Sequence, residues 1–112
     1  NVLTLRASAL PESSVGYFLN SQRPGNTFPV VASVGRLCLG GSIGRHRGPG
    51  EVQSSGTDGF FDLRLDLAAM PTPTGPMPAL GGQTWYFQAW HRDAVAGQVV
   101  SNFTDAIEVL LQ

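Results

Sequence analysis

Phe61-Asp62-Leu63-Arg64-Leu65-Asp66-Leu67 places large apolar residues at every odd position and charged residues at every even one. Successive side chains of a strand point to opposite faces, so this stretch reads as a β-strand with one dry and one wet face. It predicts a sheet with one side against a core. The same period of two recurs outward from it. Leu3, Leu5, Ala7 and Ala9 alternate with Thr4, Arg6 and Ser8. Ile107, Val109 and Leu111 alternate with Glu108, Leu110 and Gln112. In Gln83 to Arg92, Trp85, Phe87, Ala89 and His91 share one face, and Tyr86, Gln88, Trp90 and Arg92 the other.

Two further stretches read as strands. Val15-Gly16-Tyr17-Phe18-Leu19 is apolar on both faces. Leu37-Cys38-Leu39-Gly40-Gly41-Ser42-Ile43-Gly44-Arg45 is one strand region in which Gly40-Gly41 implies a bulge or a close backbone approach. Residues 20–36 read as a long connection whose apolar middle, Phe28-Pro29-Val30-Val31, packs back on the sheet. Ala68-Ala69-Met70 reads as a helical turn. Pro71, Pro73, Pro76 and Pro78 follow at a spacing that excludes a central strand and favours an extended surface loop. Residues 93–102, with Gly97, read as a loop. The 14 Gly and 8 Pro disfavour long helices. The fold class expected is all-β: an antiparallel β-sandwich, Ig-like or jelly-roll-like, of about six to eight short strands.

The 112 residues suit one domain, residues 1–112. Charged residues make up 13% of the chain and the net charge is −1, which argues against nucleic acid, whose phosphates need clustered cations. All seven cations are arginine. Apolar runs are far shorter than the roughly 20 residues of a membrane-spanning helix, so no membrane span is expected.

Leu37-Cys38-Leu39-Gly40-Gly41-Ser42-Ile43-Gly44-Arg45 resembles one block of a β-rich accessory domain found at the C-terminal end of many secreted bacterial proteins, planctomycete and marine ones among them. Thr84-Trp85-Tyr86-Phe87-Gln88-Ala89-Trp90-His91-Arg92-Asp93 resembles a second block and Ser101-Asn102-Phe103-Thr104-Asp105 a third. The blocks keep the family's order and span most of the chain. The resemblance implies an extracellular or cell-surface β-sandwich, the C-terminal part of a larger secreted protein, acting beside a parent enzyme or surface protein. No catalytic residue is carried over. Flanking cysteines in relatives imply that any disulfide mate of Cys38 lies upstream of Asn1. Relatives often have a strand before the segment matching residues 3–9, and its absence here implies an unpaired edge able to accept a strand from another copy.

The residues themselves offer few candidates for chemistry. Cys38, His46, His91 and the aspartates fit no nucleophile elbow and no cysteine-protease signature. A small secreted hydrolase is therefore the weaker alternative, and no enzyme is expected. His46, between Arg45 and Arg47, reads as solvent-exposed; His91, beside Trp85 and Phe87, as a satisfied core or edge histidine; Cys38 as a buried small hydrophobe. No cofactor is expected. Calcium is the cation that Asp58, beside Gly59, and Asp105, with the Asn102 carbonyl oxygen, would suit; the competing reading is turn chemistry. Asn102-Phe103-Thr104 fits a glycosylation sequon, and a turn entering the last strand explains it better. Tyr86, Gln88, Trp90 and Arg92 form the candidate ligand surface: a flat ring for a sugar, flanked by donors for its hydroxyls. Against it stands burial of that face under residues 20–36 and 70–82, with Arg92 stacked on Trp90. The function expected is a non-catalytic extracellular accessory domain for attachment or assembly at a cell surface, matrix or polysaccharide. The alternative is a carbohydrate-binding module built on the aromatic strand.

Overall fold

The computed structural model describes residues 3–28, 30, 33–95 and 97–112, with backbone only at Ala94 and Val95. They form ten strands and no helix: β1 Thr4–Ala7, β2 Val15–Ser21, β3 Arg23–Thr27, β4 Leu37–Gly40, β5 Gly44–Arg45, β6 Gln53–Ser54, β7 Phe61–Arg64, β8 Thr84–Val95, β9 Gln98–Phe103 and β10 Ile107–Leu110. The chain is an all-β sandwich with antiparallel ladders. No helix is long and apolar enough to cross a membrane.

The centre is the antiparallel pair β2–β8, in register from Gly16↔His91 to Ser21↔Tyr86. Each of these strands has a divided outer edge. β5 and β6 share that of β2, and β9 and β10 share that of β8. The second layer is the pair β1–β7, with Leu5↔Leu63 and Ala7↔Phe61. Between the layers lies the core: Leu5, Ala7, Phe18, Phe61, Leu65, Met70, Trp85, Phe87 and Ala89. Leu63 and Leu67 pack against it. The rings of Phe18 and Phe61 meet edge to face at 5.3 Å, a favoured aromatic geometry. The alternation of residues 61–67 therefore faces Trp85 and Phe87 across one core, as expected.

A third layer, the β3–β4 hairpin, lies on the outer face of the large sheet. Leu19, on that face, and Leu39, on β4, are both buried yet belong to a group apart from the main core. The connection of residues 20–36 thus contains a strand, which accounts for part of the excess over six to eight. Its apolar middle does not pack as expected: Phe28 is 55% exposed, with the Arg36 guanidinium 4.9 Å above its ring. Pro29 and Val31 lie outside the described residues.

The region 37–45 is two strands rather than one. A Cβ on Gly40 would lie 2.6 Å from the Pro24 carbonyl oxygen, so the β3–β4 approach requires glycine there. Gly41, at φ 69°, takes the left-handed conformation that turns the chain between β4 and β5. Residues 93–102 are not a loop but the β8–β9 hairpin, with Gly97 in its turn at φ 81°. The proline segment is not simply extended. Met70 and Met77 exchange backbone bonds, Met70 N–H to Met77 O at 2.8 Å and Met77 N–H to Met70 O at 2.9 Å. The Met70 side chain is fully buried. Before it, Ala68-Ala69-Met70 forms no helix; Asp66 closes a single turn, accepting from Ala68 N–H and Ala69 N–H.

Candidate functional site

The outer face of β8 carries Tyr86, Gln88, Trp90 and Arg92, and the structure separates them. Gln88 is only 2% exposed. Its Oε1 accepts from Cys38 N–H at 3.0 Å, and its Nε2 donates to Arg36 O at 2.8 Å and Thr104 O at 2.7 Å. It is the bolt that holds the β3–β4 layer on the sheet. The 20–36 connection and the start of β4 thus cover the middle of this face. Residues 70–82 do not: Met70, Met77 and Ala79 pack on the core side. Tyr86 is half-buried at the far end, where its hydroxyl donates to Glu108 at 3.3 Å. Desolvation and the Glu108 carboxylate push that phenol above its ordinary range.

Trp90 and Arg92 remain accessible. Trp90 is half-buried and Arg92 exposed, with the guanidinium 4.9 Å over the indole. Ladder partners share a face, so the register Tyr17↔Trp90↔Phe103 aligns three aromatic rings across β2, β8 and β9. Tyr17 lies 5.1 Å from Trp90 with planes tilted by 31°, and Arg47 caps Tyr17 at 5.7 Å. The exposed part of the face is therefore Arg47–Tyr17–Trp90–Arg92. Sequence reasoning found its second half. It missed Tyr17 and Arg47 because cross-strand register between distant segments is not written in either segment.

His46 is buried at 3% exposure, against the expectation of solvent. β5 carries Arg45 outward opposite Leu19, and the pleat turns His46 inward, its N–H bonded to Phe18 O at 2.9 Å. The Asn20 amide donates through Nδ2 to Pro71 O, which aims its Oδ1 at His46 Nε2, 2.5 Å away. Nε2 therefore carries the proton, and Nδ1 faces Glu51 Oε2 at 3.8 Å. Burial outweighs the Glu51 carboxylate, so the His46 pKa lies below its ordinary value. The unfolded chain thus takes up a proton that the fold resists. The stability His46 contributes is complete above about pH 6.5 and falls as pH drops below it. The Asp62 carboxylate, held below its ordinary range by Arg6, releases its own contribution only at much lower pH. A wild-type melting temperature that falls between pH 7 and 5.5 is expected, with a flatter profile for His46→Asn; thermal melts across that range check it.

His91 is buried, as expected of a satisfied histidine. Its Nδ1 lies 3.0 Å from Arg92 O and 3.4 Å from Ser14 Oγ. Ser14 itself is buried and donates to that same carbonyl, so the Ser–His contact clamps β2 to β8. Cys38 is a free thiol, half-buried rather than buried, 3.7 Å from Arg36 O. Cys38, His46 and His91 thus occupy three different surroundings and share no bond. Asp58 sits exposed in the turn before β7. Asp105 is exposed, but the Asn102 oxygen that would join it accepts instead from Phe103 N–H, and Asn102 Nδ2 donates to Asp93. Phe103 is half-buried on β9, beside Trp90. Among the described residues no three His, Cys, Asp or Glu are grouped to hold a metal ion.

A second feature lies at the flank. A cleft of about 330 Å³ runs along β1, lined by the consecutive residues 5–9. Consecutive residues point to both faces of a strand, so what borders the cleft is the strand's edge. Its floor is core: Phe18, Phe87 and Ala89; Ile107, 51% exposed, forms the opposite rim. Leu65 N–H bonds Leu3 O at 2.9 Å, which fixes the ladder phase. Leu3, Leu5 and Ala7 turn their backbone groups to β7, so Thr4 and Arg6 turn theirs to the cleft. Among the described residues those outward groups have no backbone partner. The other edge of this pair is covered, since Gln53 Nε2 donates to Asp62 O. Comparison with protein-family models, with curated proteins and with solved structures finds no match.

Proposed function

We propose that this chain is a non-catalytic accessory domain, extracellular or surface-located, that attaches by accepting a β-strand at the free edge of β1. The observation that carries the reading is the open flank, where the backbone of Thr4 and Arg6, unpaired among the described residues, borders a cleft floored by core residues. An unpaired edge pairs with another chain unless charge, proline or a covering segment blocks it. Arg6 is the one charge on β1, and it is turned to its neighbour strand. Its Nε lies 2.7 Å and its Nη2 2.9 Å from the Asp62 carboxylate, and its guanidinium lies 4.3 Å above Phe60. The guard is thereby neutralised.

The occupant is a second copy of this chain. The two layers that enclose the core both reach this flank, β1 in one and β10, through Ile107, in the other. Two copies meeting β1 to β1 about a two-fold axis set their clefts against each other and cover Ile107 on both rims. Sedimentation of wild type and Thr4→Pro tests this. Proline at Thr4 removes an outward N–H and leaves the bonds to β7 intact. The expected result is a concentration-dependent dimer that the variant loses while its melt is unchanged. A wild type monomeric at every concentration, or a variant that dimerises equally, overturns the proposal.

A further inference from the structure

We infer that the outer face of the large sheet is a second, separate binding site, and that it takes an acidic polysaccharide across Arg47, Tyr17, Trp90 and Arg92. The rings of Tyr17 and Trp90 are half-exposed neighbours 5.1 Å apart across β2 and β8, with the Arg47 guanidinium over Tyr17 and the Arg92 guanidinium over Trp90. Among the described residues neither Arg47 nor Arg92 has a carboxylate in ion-pair range. Arg45 is exposed on the same face, opposite Leu19. Two acidic side chains flank this row. Glu51 turns to the other side of the sheet, with Oε2 toward His46 Nδ1 and Oε1 bonded to Gly48 N–H, and Asp93, next to Arg92 on β8, alternates to the opposite face, where it accepts from Asn102 Nδ2. The Glu108 carboxylate stands at the far end of β8 with Tyr86. The patch is thus cationic in a chain of net charge −1.

The chemistry of the row selects its ligand. The guanidiniums lie over the rings, so a ligand meets them first: a carboxylate or sulfate pairs with Arg47 or Arg92 through two parallel bonds, and the swing of that side chain off its ring opens an aromatic face to the apolar C–H face of a pyranose. The two rings are adjacent strand neighbours with no gap between them, a surface for an extended chain rather than a slot for an intercalated base. The row is also built to stay in place. Tyr17 and Trp90 are fixed by the β2–β8 ladder, and Gln88 seals the face beside them under β4, so ligand binding requires no rearrangement of backbone. This site lies on the outer face, away from the cleft at β1, and does not depend on dimer formation.

Intrinsic fluorescence tests it, because Trp85 is buried in the core and Trp90 alone is accessible. The probes are polygalacturonate and dextran sulfate, with neutral dextran and oligo(dT) as competitors. Saturable change with either acidic glycan is expected, weakening with added salt, the pair telling carboxylate from sulfate as the preferred group. The double variant R47Q/R92Q is expected to bind about tenfold or more weakly, with an unaltered melt. No response to either acidic glycan, an equal response to neutral dextran, tighter binding of oligo(dT), or full affinity in the folded double variant overturns the proposal.

Discussion

Replacing Gln88 by leucine is expected to lower the stability of the domain by about 3 kcal/mol or more, although the new side chain is apolar and of similar size. Three groups lose their mate at once: Cys38 N–H, Arg36 O and Thr104 O. Each unpaired buried polar group costs about 1–3 kcal/mol, and partial hydration at the margin of β4 keeps the total toward the lower end. A urea melt measures it. The result also decides what Gln88 is for. A glutamine kept to bond sugar hydroxyls would be exposed, and its loss would weaken binding while leaving the melt in place. A bolt between layers does the reverse. Loss of the bolt is expected to loosen the β3–β4 hairpin first, seen as faster exchange of the Cys38 amide, while the amides of β8 that pair with β2 stay protected.

How far such roles were legible depends on what each one rests on. The strand alternation of residues 61–67 and 83–92 is local, and it gave the two faces of the core correctly because the pleat is a property of a single strand. The same rule, applied to Gly44-Arg45-His46-Arg47, would have placed His46 inward. Two flanking arginines suggest water when read as composition, yet in a pleat they stand outward at i−1 and i+1 and leave the histidine between them on the dry side. Charge neighbours along the sequence are not neighbours across a sheet. The pairing Tyr17↔Trp90 spans segments far apart in the chain, and neither segment states its register. Half of the exposed row was therefore invisible before the ladder was known. Gln88 was placed on the right face but given the wrong task, because whether a face is solvent or interface depends on where the 20–36 connection lies. The divided edges are also non-local. β9 and β10 share one edge of β8 only because the strand is interrupted between Phe103 and Ile107, and residues of that interruption line the cleft beside β1.

Leu65→Ala is expected to cost about 2–5 kcal/mol, the range for emptying a well-packed aliphatic site, and Arg64→Ala about 0.5 kcal/mol or less, as for an ordinary surface position. Leu65 is buried in the core cluster just past β7, its N–H bonded to Leu3 O; Arg64 is exposed opposite Thr4. The contrast between two adjacent residues reads the phase of the β1–β7 ladder directly. A slip of one residue would carry every side chain of the strand to the other face. Leu65 would then be the tolerant position and Arg64 the costly one. A slip of β1 as well would turn the backbone groups of Thr4 and Arg6 toward β7 and those of Leu5 and Ala7 toward the cleft. The free edge would remain, but proline at Thr4 would break the ladder instead of sparing it. Denaturant melts of Leu65→Ala and Arg64→Ala therefore come before the dimer experiment in logic. A large cost at Leu65 with a negligible one at Arg64 licenses Thr4→Pro as a probe of the edge alone. A large cost at Arg64 with a negligible one at Leu65 would mean that the phase of this strand is wrong, and a monomeric Thr4→Pro variant would then no longer be read as loss of a docking strand alone.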